Sequence, residues 1–104
     1  MAKNNKVEMF REVTREMADT YERKNSDYGD SFGESIREFG LIAGVVRISD
    51  KINRLKSLVR SSEIKVREES ISDTLLDAAN YCIMLRMEIG NNLSNRGNNN
   101  ERVR

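Results

Sequence analysis

Leu41, Val45, Ile48, Ile52, Leu55 and Val59 recur at alternating steps of four and three, which is a heptad seam along one helix. A second seam of the same period runs through Ile71, Leu75, Ala78, Cys82, Leu85 and Ile89. Proline is absent from the whole chain, so nothing interrupts either helix from within. Two seams of this kind demand helical partners, because an apolar heptad stripe is stable only when another helix covers it. The spacing therefore predicts an all-α chain: a three-helix domain with heptad seams, assembling into an oligomeric helical bundle.

The first helix is expected from about Asn5 to Arg23, with Val7, Phe10, Val13, Met17 and Tyr21 as one narrow apolar stripe. The segment KNSDYGDSFG follows and is dense in turn formers, so it reads as a loop. A second helix is expected over residues 34–60, bending near Gly40 or Gly44. RSSEIKVREES is a polar connection in which Ser70 and Asp73 resemble an N-terminal capping box. The third helix then runs to Gly90. Beside its seam lies another stripe of Leu76, Ala79, Ile83 and Met87, which makes this helix the central one. Residues 1–90 thus form a single all-α domain, and the Asn-rich residues 91–104 an expected disordered tail.

At 104 residues the chain buries only a modest share of its apolar surface alone, so a homo-oligomer, dimer or tetramer, is expected. Eighteen basic residues against 17 acidic ones give no support for direct DNA binding or for attraction to a membrane surface. No apolar run is long enough to span a bilayer, and the polar start MAKNNKVEMF has no signal-peptide character. A cytoplasmic protein is expected. With no histidine, any catalysis must use carboxylates, Lys, Tyr or a bound metal.

The chemistry-bearing residues lie at helical spacing within the two seam-bearing segments. Arg47, Asp50 and Arg54 fall on the far side of the helix from its seam, with Lys51 at the flank. They are either a solvated face or a binding strip. Glu69, Asp73, Asp77 and Asn80 occupy a polar strip on the next helix. Asp77 is flanked by apolar positions, so it requires a partner, either a cation such as Arg47, Lys51 or Arg54, or a divalent metal. With metal on Asp50, Glu69, Asp73 and Asp77, the cations would be free to hold phosphate oxygens, and a Mg²⁺-bound water could attack phosphorus. Tyr28 and Phe32 either pin the loop or cover a nucleobase. The acidic pair Glu34 and Glu38 suits a helix N-terminus.

KNSDYGDSF, GLIAGVVRISDKINRL and ESISDTLLDAANYCIML, taken in order, resemble the nucleotide modification associated domain 1 family, short all-helical proteins common in bacteriophages. The resemblance covers about residues 20 to 90. It highlights Lys24, Asp27, Tyr28, Gly29, Ser31, Arg47, Asp50, Lys51, Arg54, Glu69, Ser70, Asp73, Asp77, Asn80 and Tyr81, and it adds Lys24 to the phosphate-binding set. A more distant similarity is to MazG-like all-α nucleoside triphosphate pyrophosphatases, which hold Mg²⁺ on ExxE and ExxD patterns. Here the acidic spacings are four, and Thr74 stands where the Glu of an ExxD ending at Asp77 would be. The resemblance implies a phage nucleotide-binding protein acting as a Mg²⁺-dependent pyrophosphohydrolase in nucleotide metabolism or DNA modification. The alternatives are a protein that sequesters a nucleotide without cleaving it, as an anti-defence device, and a structural protein without a small ligand.

Overall fold

A computed structural model describes the backbone of residues 2–28, 30–60 and 64–100, and the side chains of residues 5–25, 30–60 and 68–90. Among the described residues all regular structure is helical, in four helices rather than three: α1 Ala2–Tyr28, α2 Ser31–Phe39, α3 Leu41–Leu58 and α4 Ile64–Asn100. None is long and apolar enough to cross a membrane. The chain divides into two compact units, Met1–Asp30 and Ser31–Arg104.

The first unit is α1. It continues past Arg23 through Lys24, Asn25, Ser26 and Asp27 to Tyr28, so the first half of the expected loop is helix, and its last three residues open α2. Extending an existing helix by a residue costs little when no proline intervenes, even through weak helix formers. Of the expected stripe, Met17 is buried, whereas Val7, Phe10 and Val13 are exposed.

In the second unit the expected helix over residues 34–60 is two helices. α2 is short and strongly two-sided, burying Phe32, Gly33 and Ile36, with Glu34 in its first turn and Arg37 in its last, the order that complements the helix dipole. Gly40 then breaks the helix with φ 89° and ψ 178°, a region open essentially to glycine alone. Its N–H donates to the Ile36 carbonyl at 2.7 Å, while its own carbonyl accepts from the Ala43 N–H at 3.0 Å. One glycine thereby closes α2 and opens α3. α3 ends with the Val59 N–H donating to the Leu55 carbonyl and the Arg60 N–H to that of Ser57.

α4 begins at Ile64, not after the Ser70 and Asp73 pair. Both residues are therefore inside the helix, and the expected capping box is not the helix start. IKVREES contains no helix breaker, so the helix takes it up. At the other end α4 passes Gly90 and runs to Asn100, through most of the expected tail; residues 101–104 lie outside the described residues.

α3 and α4 pack antiparallel, in a register fixed by three side-chain contacts: Arg47 with Tyr81, Lys51 with Asp77, and Arg54 with Thr74. Each step of four or three up α3 is matched by the same step down α4. This alignment corrects one sequence expectation. The α3 seam is not centred on the contact between the two helices: Leu41, Val45, Ile52 and Val59 are exposed, and only Ile48 and Leu55, which lie nearest Gly44 round the helix, are half-buried. The contact instead uses the neighbouring stripe, because Gly44 lets α4 approach closely there.

Gly40→Ala puts a side chain into backbone that β-carbons avoid, so it should cost about 1–3 kcal/mol. A urea denaturation series on the purified variant measures this; unchanged stability would mean that the α2–α3 break tolerates an ordinary residue.

Candidate functional site

The site is a row of polar contacts along one edge of the α3–α4 pair. It starts at a close approach. A β-carbon placed on Gly44 would come within 2.7 Å of Leu85 Cδ1 and 3.0 Å of Ile36 Cδ1, so three helices converge where only a hydrogen fits. Ile36 is 2% exposed. Beyond that point α3 presents Arg47, Lys51 and Arg54 to α4 at steps of four and three.

Arg47 donates from Nη1 to the Tyr81 hydroxyl at 3.3 Å, and its guanidinium carbon is 5.9 Å from the Tyr81 ring centre. Lys51 Nζ is 5.8 Å from the same ring and 3.3 Å from Asp77 Oδ2. Arg54 Nε donates to Thr74 Oγ1 at 3.3 Å. Two of the three cations are thus anchored by neutral hydroxyl groups and one by a carboxylate. A hydroxyl orients a guanidinium without cancelling its charge. Among the described residues neither Arg47 nor Arg54 has a carboxylate within ion-pair distance.

Burial follows the same gradient. Thr74 is 3% exposed, whereas Arg47 and Arg54 are exposed and Lys51 and Asp77 are half-buried. The row is therefore rooted in the helix contact and open at its cationic heads. Phe32 packs its ring 5.4 Å from that of Tyr81, tilted by 35°, which holds the phenol beneath Arg47 and Lys51. Above it Glu88, buried on α4, pairs with Arg37 of α2 at 3.5 Å and ties the short helix across the end of the row.

The structure thus brings together Arg47, Lys51 and Asp77 from the residues singled out in the sequence, and sets Arg54 in the same row. It supplies the cation that Asp77 required. Asp50 projects from α3 about 70° away from the mean direction of Arg47, Lys51 and Arg54, beside Arg54, and makes no ion pair with the row among the described residues. Asp50, Glu69, Asp73 and Asp77 are not gathered: among the described residues no three acidic side chains form a group able to hold a metal ion. Phe32 is 6% exposed, inside the unit, with Tyr81 against its ring, so a base cannot stack on it without displacing core contacts. Lys24 belongs to the other compact unit. The side chains of Asp27 and Tyr28, and Gly29, lie outside the described residues.

Sequence reasoning did not assign roles to Gly44, Thr74 or Glu88. A signal existed for Thr74 and Tyr81, which with Asp77, Met84 and Glu88 form a heptad one position removed from the apolar seam. A partly polar heptad next to a fully apolar one is hard to read as the packing face.

A family model described as nucleotide modification associated domain 1 matches residues 24–89. The chain belongs to that family. The matched stretch takes in α2, α3 and the part of α4 that carries the row. No curated protein and no solved structure matches the chain.

Gly44→Leu should push α3 from α4 and lower stability by about 1–3 kcal/mol, the usual cost of overpacking. Thermal unfolding followed by circular dichroism reads it. If the variant melts with the parent, the close approach is not a constraint.

Proposed function

We propose that the chain binds a nucleotide by its phosphates along the cation row of α3. The observation that carries this is the charge balance of the row: Arg47, Lys51 and Arg54 lie within two helical turns, and one carboxylate, Asp77, faces them at ion-pair distance. The remaining positive charge sits on two guanidinium groups, whose planar forks suit phosphate oxygens. Membership of a nucleotide modification associated family supports a nucleotide as the source of those phosphates.

In this reading Arg47 and Arg54 take phosphate oxygens directly. Thr74 and Tyr81 aim the two guanidinium groups, and Lys51 contributes through a charge shared with Asp77. In this reading the ligand is retained rather than cleaved, which accords with the described residues gathering no three carboxylates at one point for a metal-activated water. Mg²⁺-dependent pyrophosphohydrolysis, which the similarity to MazG-like enzymes implies, is the second reading. A phage origin and a cytoplasmic place of action accord with either.

Calorimetric titration with a panel of ribo- and deoxynucleoside phosphates tests the proposal. Binding should weaken about tenfold for Arg54→Ala and for Arg47→Ala, since a hydrogen bond to a charged group contributes about 1.5–3 kcal/mol, and it should weaken further as salt rises. Asp77→Asn should bind no worse than the parent. The nucleotide should be recovered intact after incubation with Mg²⁺; release of pyrophosphate would establish the second reading, and absence of heat with every nucleotide would overturn both.

A further inference from the structure

Arg47 and Arg54 are seven residues apart on α3, and the hydroxyl groups they donate to, on Tyr81 and Thr74, are seven residues apart on α4. In an antiparallel pair these two links run side by side. Seven residues are about 10.5 Å of helix rise and return to within about 20° of the same direction. Each arginine is fixed at its backbone and at a hydroxyl group, so the two guanidinium heads are held on one line at roughly that separation. Lys51 stands between them, with Asp77 and the Tyr81 ring as its contacts.

That separation has a chemical meaning. Charge-assisted N–H···O contacts of about 2.8 Å place a guanidinium carbon roughly 4 Å from the phosphorus whose oxygens it grips. One phosphorus therefore serves two guanidinium groups only when they lie within about 8 Å of each other. The row is wider than that. Two phosphorus atoms joined through one bridging oxygen are about 3 Å apart, which extends the reach to roughly 11 Å and matches the row. A third phosphate meets no further cation on α3. The positions that continue the row by one turn are Ala43 and Gly44 before Arg47, and Ser57 and Leu58 after Arg54, none of them charged.

The remaining donors agree with two phosphates. Arg54 is held through Nε, so its terminal pair of nitrogens is the fork open to a ligand. Arg47 is held through Nη1, which leaves the edge made by Nε and Nη2. Each guanidinium thus keeps one two-donor edge, and each edge suits one phosphate. We infer that the row reads a diphosphate: two phosphates joined by an anhydride bridge, Arg47 holding one and Arg54 the other, with Lys51 Nζ toward the bridge. The ligand class is a nucleoside carrying at least a diphosphate, and a nucleoside monophosphate is a poor ligand. This rests on the proposal that the row binds phosphates and adds how many it counts.

Calorimetric titration at one ionic strength with inorganic phosphate, pyrophosphate and tripolyphosphate tests the inference, and the mono-, di- and triphosphates of one nucleoside repeat the series. Pyrophosphate should bind at least about tenfold more tightly than phosphate, the effect of a second charge-assisted contact. Tripolyphosphate should bind within about threefold of pyrophosphate, whereas attraction by net charge alone would strengthen binding again at that step. Arg47→Ala and Arg54→Ala, with helical circular dichroism retained, should each bind phosphate and pyrophosphate within about threefold of each other, since one fork remains. Equal affinity of the parent for phosphate and pyrophosphate, or a further tenfold gain with tripolyphosphate, would overturn the diphosphate inference and leave phosphate binding in place. Absence of heat with all three anions would overturn the phosphate reading, and this inference with it.

Discussion

The antiparallel contact of α3 with α4 is the constraint on which the described site depends. Gly44 sets it. With no side chain at that position, Leu85 and Ile36 reach the α3 backbone, and the axes come close enough for side chains two turns away to touch. The register that follows is narrow. A slip of one turn would set Lys51 opposite Thr74 or Tyr81 instead of Asp77. The ion pair itself contributes only about 1 kcal/mol or less at its half-exposed position. Its value lies in choosing one alignment, because a displaced Asp77 would lose its cation and a displaced Lys51 its carboxylate.

The same contact explains how cations accumulate without unfolding the pair. Arg47 and Arg54 are held by the hydroxyl groups of Tyr81 and Thr74, which satisfy donors and leave charge. The Tyr81 ring lies under both Arg47 and Lys51, and Phe32 fixes that ring from the α2 side. Charge left uncompensated on ordered donors favours an anion, since the ligand meets groups already oriented. A metal-assisted reaction asks for the opposite sign at one point. Asp50, Glu69 and Asp73 are spread over two helix surfaces and do not supply it.

Helix type and the residues of the row were legible in the sequence, because both follow from period. Which face meets which was not. The α3 seam is more apolar than the stripe that packs, and periodicity ranks stripes by apolarity alone; a glycine that permits close approach leaves no mark in such a ranking. The placement of Arg47 and Arg54 on the far side from the seam was geometrically right, yet their destination was the neighbouring helix, since the contact sits between seam and far side. Asp77 was the clearest residue in advance. An acid among apolar positions needs a counter-charge, and Lys51 is there. Boundaries were least legible. Gly40 divides a helix that the sequence suggested would only bend, and α4 starts at Ile64 because nothing between Ile64 and Ser70 opposes it.

That the α3 row is the phosphate site can be examined directly by nuclear magnetic resonance. Inorganic pyrophosphate would be titrated into ¹⁵N-labelled protein while the Nε–H signals of the arginines are followed. The account predicts that Arg47 and Arg54 shift together and saturate, along with the ring signals of Tyr81, while Arg15 and Arg23 of α1 do not move. Shifts confined to α1, or none at the row, would contradict it.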